Sequence, residues 1–344
     1  MRVGTFVLAA QFPGQGQGEA LHRAVRTAEV AEEAGLDSVW LAEHHFVPYG
    51  VCPSAVTLAA LLLGRTRRLR VGTAVSVLPN VHPVALGEQA ALLHLTSGGR
   101  FTLGVGRGGP WVDLEVFGAG LDAYENGFPA SLDLLLRWLS EPRVGAEGER
   151  FAFREVPVVP RADELIGGDP APEVVVACTS PKSVRLAAER GLPMLLGMHC
   201  GDEEKAEMVT AWTRAAREAG RDPDEIARIG SQHVSAGVAQ LADRAADAAE
   251  ALVKAMPGWL KQGLDAHVTV DDRHRAMRDP VAYTELLCGL HPVGTPRHAA
   301  DRLAATAERT GITRFALLAE GTGDLASTEE NVRRLGAEVL PLLV

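Results

Sequence analysis

Eight short, almost wholly apolar runs recur along the 344-residue chain, and a stretch with helical spacing follows each of them. The runs are 2–10, 37–43, 69–78, 101–106, 173–178, 193–198, 232–239 and 314–319. A strand with one wet face alternates polar and apolar residues. These runs do not, so they are expected to be covered on both sides, as parallel strands are. Helical patterns occupy 19–34, 53–64, 83–97, 125–139, 182–190, 203–219, 242–256, 296–310 and about 326–340. Two of them carry start and stop signals. Ser180 and Pro181 open one that Gly191 closes, and Thr295 and Pro296 open another that Gly311 closes. An unbroken series of β-then-α units predicts a (β/α)8 TIM barrel, with a doubly wound sheet as the runner-up. Residues 1–344 are expected to form one domain. Two stretches break the rhythm: 141–172, rich in Pro and Gly, reads as an insertion after the fourth helix. Residues 257–293 are long, charged and without period, and read as a mobile active-site lid.

Charge narrows the function. The net charge is −10. A nucleic-acid groove or a membrane-surface patch needs a basic face, so both are excluded as roles. The run "GRTRRLRVG" (64–72) reads as a solvated connection. No apolar stretch approaches the length of a membrane span, and a cytoplasmic enzyme is expected. Cys52, Cys178, Cys200 and Cys288 lie far apart without a C-x-x-C pair, which predicts reduced, packed thiols.

Reactive groups of a barrel sit at the C-terminal ends of its strands. The second run ends in Glu43, His44 and His45. Successive strand side chains point to opposite faces, so one imidazole should face the barrel mouth and the other should face away. That parity argues against a shared metal, and no metal site is expected. An imidazole at the mouth titrates near neutrality, which suits proton exchange. Gly104, Gly106 and Gly109 match G-x-G-x-x-G, but Pro110, Trp111 and a loop follow where a dinucleotide site needs a helix. What remains is a strand end of small residues beside Arg107, which could grip a phosphate. A third strand ends in Cys178, Thr179 and Ser180, and the helix that follows, with Ser183 in its first turn, offers N–H groups and hydroxyls to an anion.

Taken in order, "VWLAEHHF" (39–46), "VGTAVSVLPNVHPV" (71–84), "GRFTLGVGRG" (99–108), "AAERGLPMLL" (187–196), "HPVGTP" (291–296) and the "VLPLL" tail span nearly the whole chain. In these stretches the chain resembles the bacterial luciferase-like flavin-dependent monooxygenases, and among them the luciferase subunits. The resemblance implies a dimeric (β/α)8 barrel. It implies reduced FMN, supplied by a separate flavin reductase, and O2 as cosubstrate through a flavin 4a-hydroperoxide. It casts His44 as the active-site histidine and Arg107, Cys178, Thr179, Ser180 and Ser183 as the phosphate site. Ala74–Val75 falls where such proteins carry a non-proline cis peptide under the flavin ring, and Gly106 counts with them among the cofactor-binding residues. Met198 and Trp259 fall at the flavin or substrate pocket, and His45, His82 and Glu88 at a subunit interface, here of a homodimer. Gly106 stands where the luciferases have a reactive cysteine, which is expected to enlarge the cavity for a medium-sized organic substrate, as in the tailoring of natural products such as antibiotics. Two further roles stay open: F420-dependent hydride transfer, whose users more often carry Asp-His-Phe where this chain has "EHHF", and a non-catalytic flavin-binding partner subunit.

Overall fold

Each apolar run forms a strand. The computed structural model describes residues 1–271, 273 and 278–343. Its parallel strands are β1 (Arg2–Val7), β2 (Ser38–Leu41), β3 (Arg70–Thr73), β4 (Phe101–Gly106), β5 (Glu173–Cys178), β6 (Met194–Leu196), β7 (Val234–Val238) and β8 (Arg314–Leu318). Each pairs with the next, and β8 returns to β1 with Arg2 opposite Arg314 and Phe6 opposite Leu318. The sheet therefore closes into a (β/α)8 barrel, and the doubly wound alternative is excluded.

The pleat sorts side chains into two cores. Val39 and Leu41 pack with the helices, whereas Trp40 between them fills the barrel; Val174 and Val176 likewise flank the inward Val175. Trp40 has room because residue 72 is glycine: a Cβ there would lie 2.6 Å from the indole.

The outer helices are α1 (Gln17–Glu33), α2 (Ala55–Arg65), α3 (Pro83–Ser97), α4 (Phe128–Ser140), α5 (Pro181–Glu189), α6 (Asp202–Glu218), α7 (Pro223–Gly230), α8 (Ala245–Asp265), α9 (Pro280–Leu290), α10 (Pro296–Thr310) and α11 (Leu325–Arg334). The caps act as their residue types suggest. Ser180 Oγ accepts from Ser183 N–H, Thr295 Oγ1 accepts from His298 N–H, and α10 ends at Gly311 in a left-handed conformation.

Three parts differ from expectation. Residues 141–172 include an antiparallel hairpin, Arg143–Glu147 with Ala152–Pro157. It docks on α4 because Val144 and Val158 pack against Leu134 and Trp138. Helix α8 runs through Pro257 to Asp265, held by the burial of Met256, Trp259 and Leu260 on one face. Residues 257–293 are thus mostly the end of α8 and all of α9, not one long aperiodic lid. Only 266–279 connect the two helices, and 272 and 274–277 lie outside the described residues. Among the described residues, no helix is long and apolar enough to cross a membrane.

Candidate active site

The C-terminal ends of β2 to β5 converge on one side of the barrel mouth. Beyond β2 the parity continues: Ala42 joins the inner core and Glu43 turns outward. Its two oxygens accept N–H bonds from Ala55, the first residue of α2 (3.1 Å), and from Val77 (3.0 Å). One carboxylate thus satisfies an orphan helix donor, complements the helix dipole and anchors the segment after β3.

His44 faces inward. The backbone folds back over it, with His44 N–H donating to Cys52 O at 3.0 Å. Gly50 lies against the ring, since a Cβ there would sit 2.7 Å from Nδ1. The Tyr49 ring meets it edge-on at 5.0 Å. Nδ1 is sealed from solvent and has no partner among the described residues. Burial, reinforced by His267 and His45, brings its pKa down to about 3. This corrects the expectation of an imidazole titrating near neutrality: the pocket holds His44 neutral. His45 points the other way. Its ring meets Phe117 edge-on at 4.9 Å, and its Nε2 is 3.6 Å from Glu43 Oε1.

The Ala74–Val75 peptide is cis, as the resemblance implied. Val75 borders two adjoining cavities. One, of about 520 Å³, is lined by Gly106, Arg107, Thr179, Ser180 and Ser183. The other, of about 290 Å³, is lined by His44, Ala74, Trp111, Asp113 and His267. Gly108 borders both, so together they make one groove across the mouth.

At the first end, the Arg107 guanidinium lies 4.1 Å above the Tyr124 ring and has no acidic partner among the described residues. Ser183 Oγ accepts N–H bonds from Thr179 and Ser180, both at 3.2 Å, and donates to Ser180 O at 2.9 Å. Lys182, Arg185 and Arg190, unremarked in the sequence, also line this end, together with Glu125 and Glu189. The Cys178 thiol is outside the groove. It is fully buried among the helix-facing residues, and burial pushes it up to about 12.

Gly106 does not enlarge the groove. A Cβ at this position would lie 2.5 Å from Val75 Cγ2, so the valine already fills the space. Trp259 is fully buried, stacks on Tyr49 at 5.0 Å and on Phe12 at 5.5 Å, and donates from Nε1 to Tyr49 O at 3.0 Å. It supports the ring that touches His44 instead of lining the groove. Met198 packs in the same inner cluster, and its carbonyl accepts from His291 Nε2 at 2.6 Å. His82 and Glu88 are exposed on the outer side: His82 caps α3 and meets Phe151 of the hairpin edge-on at 5.2 Å.

Sequence reasoning missed Asp113 and His267. Asp113 is 5% exposed; its Oδ2 accepts from Asn80 at 2.7 Å, and its Oδ1 has no partner among the described residues. No periodic signal marks either residue, because Asp113 opens a one-turn helix and His267 sits on an irregular segment, and the two meet only in the fold. Among the described residues no group of three or more His, Cys, Asp or Glu could hold a metal ion.

Two buried imidazoles below the site make stability depend on pH. His233 Nδ1 accepts from Met194 N–H at 3.0 Å, and His291 donates to Met198 O. Burial lowers both to about 4, against an ordinary 6.5. The folded chain keeps them neutral while the unfolded chain protonates below about pH 6.5. Their stabilisation is full above that pH and is lost as pH falls towards 4. By pH 5 each should have cost about 1–2 kcal/mol. Urea midpoints at pH 7.5 and pH 5 check this, and His291→Gln, which keeps a donor to Met198 O, should show a smaller fall.

A family model described as luciferase-like monooxygenase matches residues 1–314. The chain belongs to the luciferase-like monooxygenases. It is accordingly an enzyme of the flavin-dependent monooxygenase class. This luciferase-like protein is 29% identical over 360 residues to the alkanal monooxygenase alpha chain of Photorhabdus luminescens, covering all of this chain and 98% of the relative. Its fold matches the monooxygenase RslO1 from Streptomyces bottropensis with a TM-score of 0.84 at 23% identity, each chain fully covered. It also matches the oxygenating constituent of 3,6-diketocamphane monooxygenase from Pseudomonas putida, a type II Baeyer–Villiger monooxygenase in complex with FMN, with a TM-score of 0.79 at 21% identity, covering 100% and 99% of the two chains.

Proposed function

We propose that the chain is the oxygenating component of a two-component, reduced-FMN-dependent monooxygenase acting on a medium-sized organic molecule. One observation carries this reading: a single groove has at one end an arginine with no acidic partner among the described residues and a helix N-terminus, and at the other a neutral, desolvated histidine. A phosphorylated planar cofactor fits that polarity. Arg107, Lys182 and the Thr179–Ser183 turn would hold the dianionic tail. Ala74, Val75 and Gly108 would floor the ring, and His44 would stand at its reacting edge. Bound reduced flavin supplies the activation of O2 from which one oxygen goes to the substrate.

The remaining work falls to the chain. His44, neutral and fixed by Tyr49 and Gly50, offers a hydrogen bond whose strength is raised by the absence of water. Residues 268–270, after α8, bond to residues 110–112 and would keep water from the reacting edge. The exposed rings of Phe46 and Phe117 beside His45, with Leu61 and Leu92 on α2 and α3, suit a homodimer interface that would also take in His82 and Glu88. A separate reductase would supply reduced FMN. Tailoring of a natural product in the cytoplasm fits this reading.

Anaerobic titration tests it. Reduced FMN should bind saturably, and reduced F420 should bind far more weakly. Preference for F420 would instead indicate hydride transfer. Flavin binding with no turnover unless a second kind of subunit is present would indicate a non-catalytic partner.

A further inference from the structure

Residues 268–270, just after α8, pair with residues 110–112 in a fixed register. Val112 N–H donates to Val268 O and Val270 N–H donates to Pro110 O, both at 2.9 Å, with Trp111 and Thr269 paired antiparallel between them. This short ladder delivers His267 into the cavity that holds His44. The His267 ring lies 4.7 Å from Trp111 and 6.0 Å from Tyr49. Its Nδ1 is 3.0 Å from the carbonyl oxygen of Gly263. A carbonyl only accepts, so Nδ1 carries the proton and Nε2 presents a lone pair. Nε2 has no partner among the described residues. Asp113 lines the same cavity with Oδ1 also unpartnered. Two acceptors therefore face one cavity, an arrangement that a ligand hydroxyl would complete. The surroundings suit a flat ligand beside the flavin ring, because Gly109 is small and the Trp111 ring forms part of the wall.

We propose that His267 determines substrate specificity: its Nε2 accepts a hydrogen bond from a hydroxyl group of the substrate, which is a planar hydroxylated compound of the phenol class. The inference rests on the oxygenase reading of the site. A plain alkyl aldehyde has no donor and would leave both acceptors bare, so such compounds should be poor ligands here. A site built to bond a hydroxyl rejects the analogue that lacks it far more strongly than an apolar pocket rejects a missing methylene.

2-Naphthol and naphthalene differ by one hydroxyl and serve as probes. Wild-type protein loaded anaerobically with reduced FMN should bind 2-naphthol about 10–100-fold more tightly than naphthalene. His267→Phe keeps a ring against Trp111 and Tyr49 but loses the lone pair. In this variant the ratio should fall to about one through loss of naphthol affinity, with reduced-FMN affinity unchanged. His267→Gln, whose amide oxygen can accept, should recover part of the ratio. Equal binding of the two probes by wild type, no naphthol binding, or an unchanged ratio in folded His267→Phe would each overturn the proposal. So would loss of reduced-FMN affinity in that variant, which would assign the imidazole to the cofactor. If wild type binds no reduced FMN, the oxygenase reading fails on its own account, and the naphthol ratio measured on the protein alone still decides the role of His267.

Discussion

Replacing His44 by alanine should lower product formation by about 10²–10³-fold while changing the dissociation constant of reduced FMN by no more than about threefold. The asymmetry follows from where the ring sits. It belongs to the 290 Å³ end of the groove, away from Arg107 and the α5 N-terminus. Its loss removes no group from the anion end. It does remove the neutral imidazole that Gly50 and Tyr49 hold in place, and it admits water. Oxygen should still be consumed but appear as hydrogen peroxide. The check is the ratio of product to peroxide, with reduced-FMN affinity measured on the same preparation. Product formation at the wild-type rate would remove His44 from the chemistry.

Arg107→Ala should show the reverse pattern, weakening reduced FMN by about 10–100-fold, the range of a hydrogen bond to a charged group. Among the described residues the guanidinium has no carboxylate partner, and it is pre-placed on Tyr124, so little of its attraction for a phosphate is spent in advance. Riboflavin, which lacks the phosphate, should bind wild type and variant alike. Raised salt should weaken FMN binding less in the variant, because one fewer charge is screened. Isothermal titration with both flavins checks this; equal loss for riboflavin would mean that Arg107 shapes the groove and does not grip an anion.

Much of this was legible because the barrel is written in short, repeated signals. The runs at 101–106 and 173–178 coincide with β4 and β5, and the proline-opened helices 83–97 and 296–310 coincide with α3 and α10. The inward turn of His44 and the outward turn of His45 follow from the two-residue period of a strand. Features that depend on packing across the sequence were not legible. The pKa of His44 depends on how the chain from Tyr49 to Cys52 closes over it, and no local pattern encodes that closure. The continuation of α8 past Pro257 reflects tertiary burial prevailing over a helix breaker. His267 reaches the site through a two-bond ladder too short to show any alternation.

The shared volume of Val75 and Gly106 constrains how this groove can change over generations. A side chain at 106 must displace the isopropyl group of its neighbour, whereas trimming residue 75 alone opens a void beneath the ring site. Neither single step is neutral, but the pair together exchanges one occupant for another at nearly constant volume. The two positions form an epistatic unit. A descendant with a thiol at 106 is therefore reached most easily through an ancestor that had already become alanine at 75.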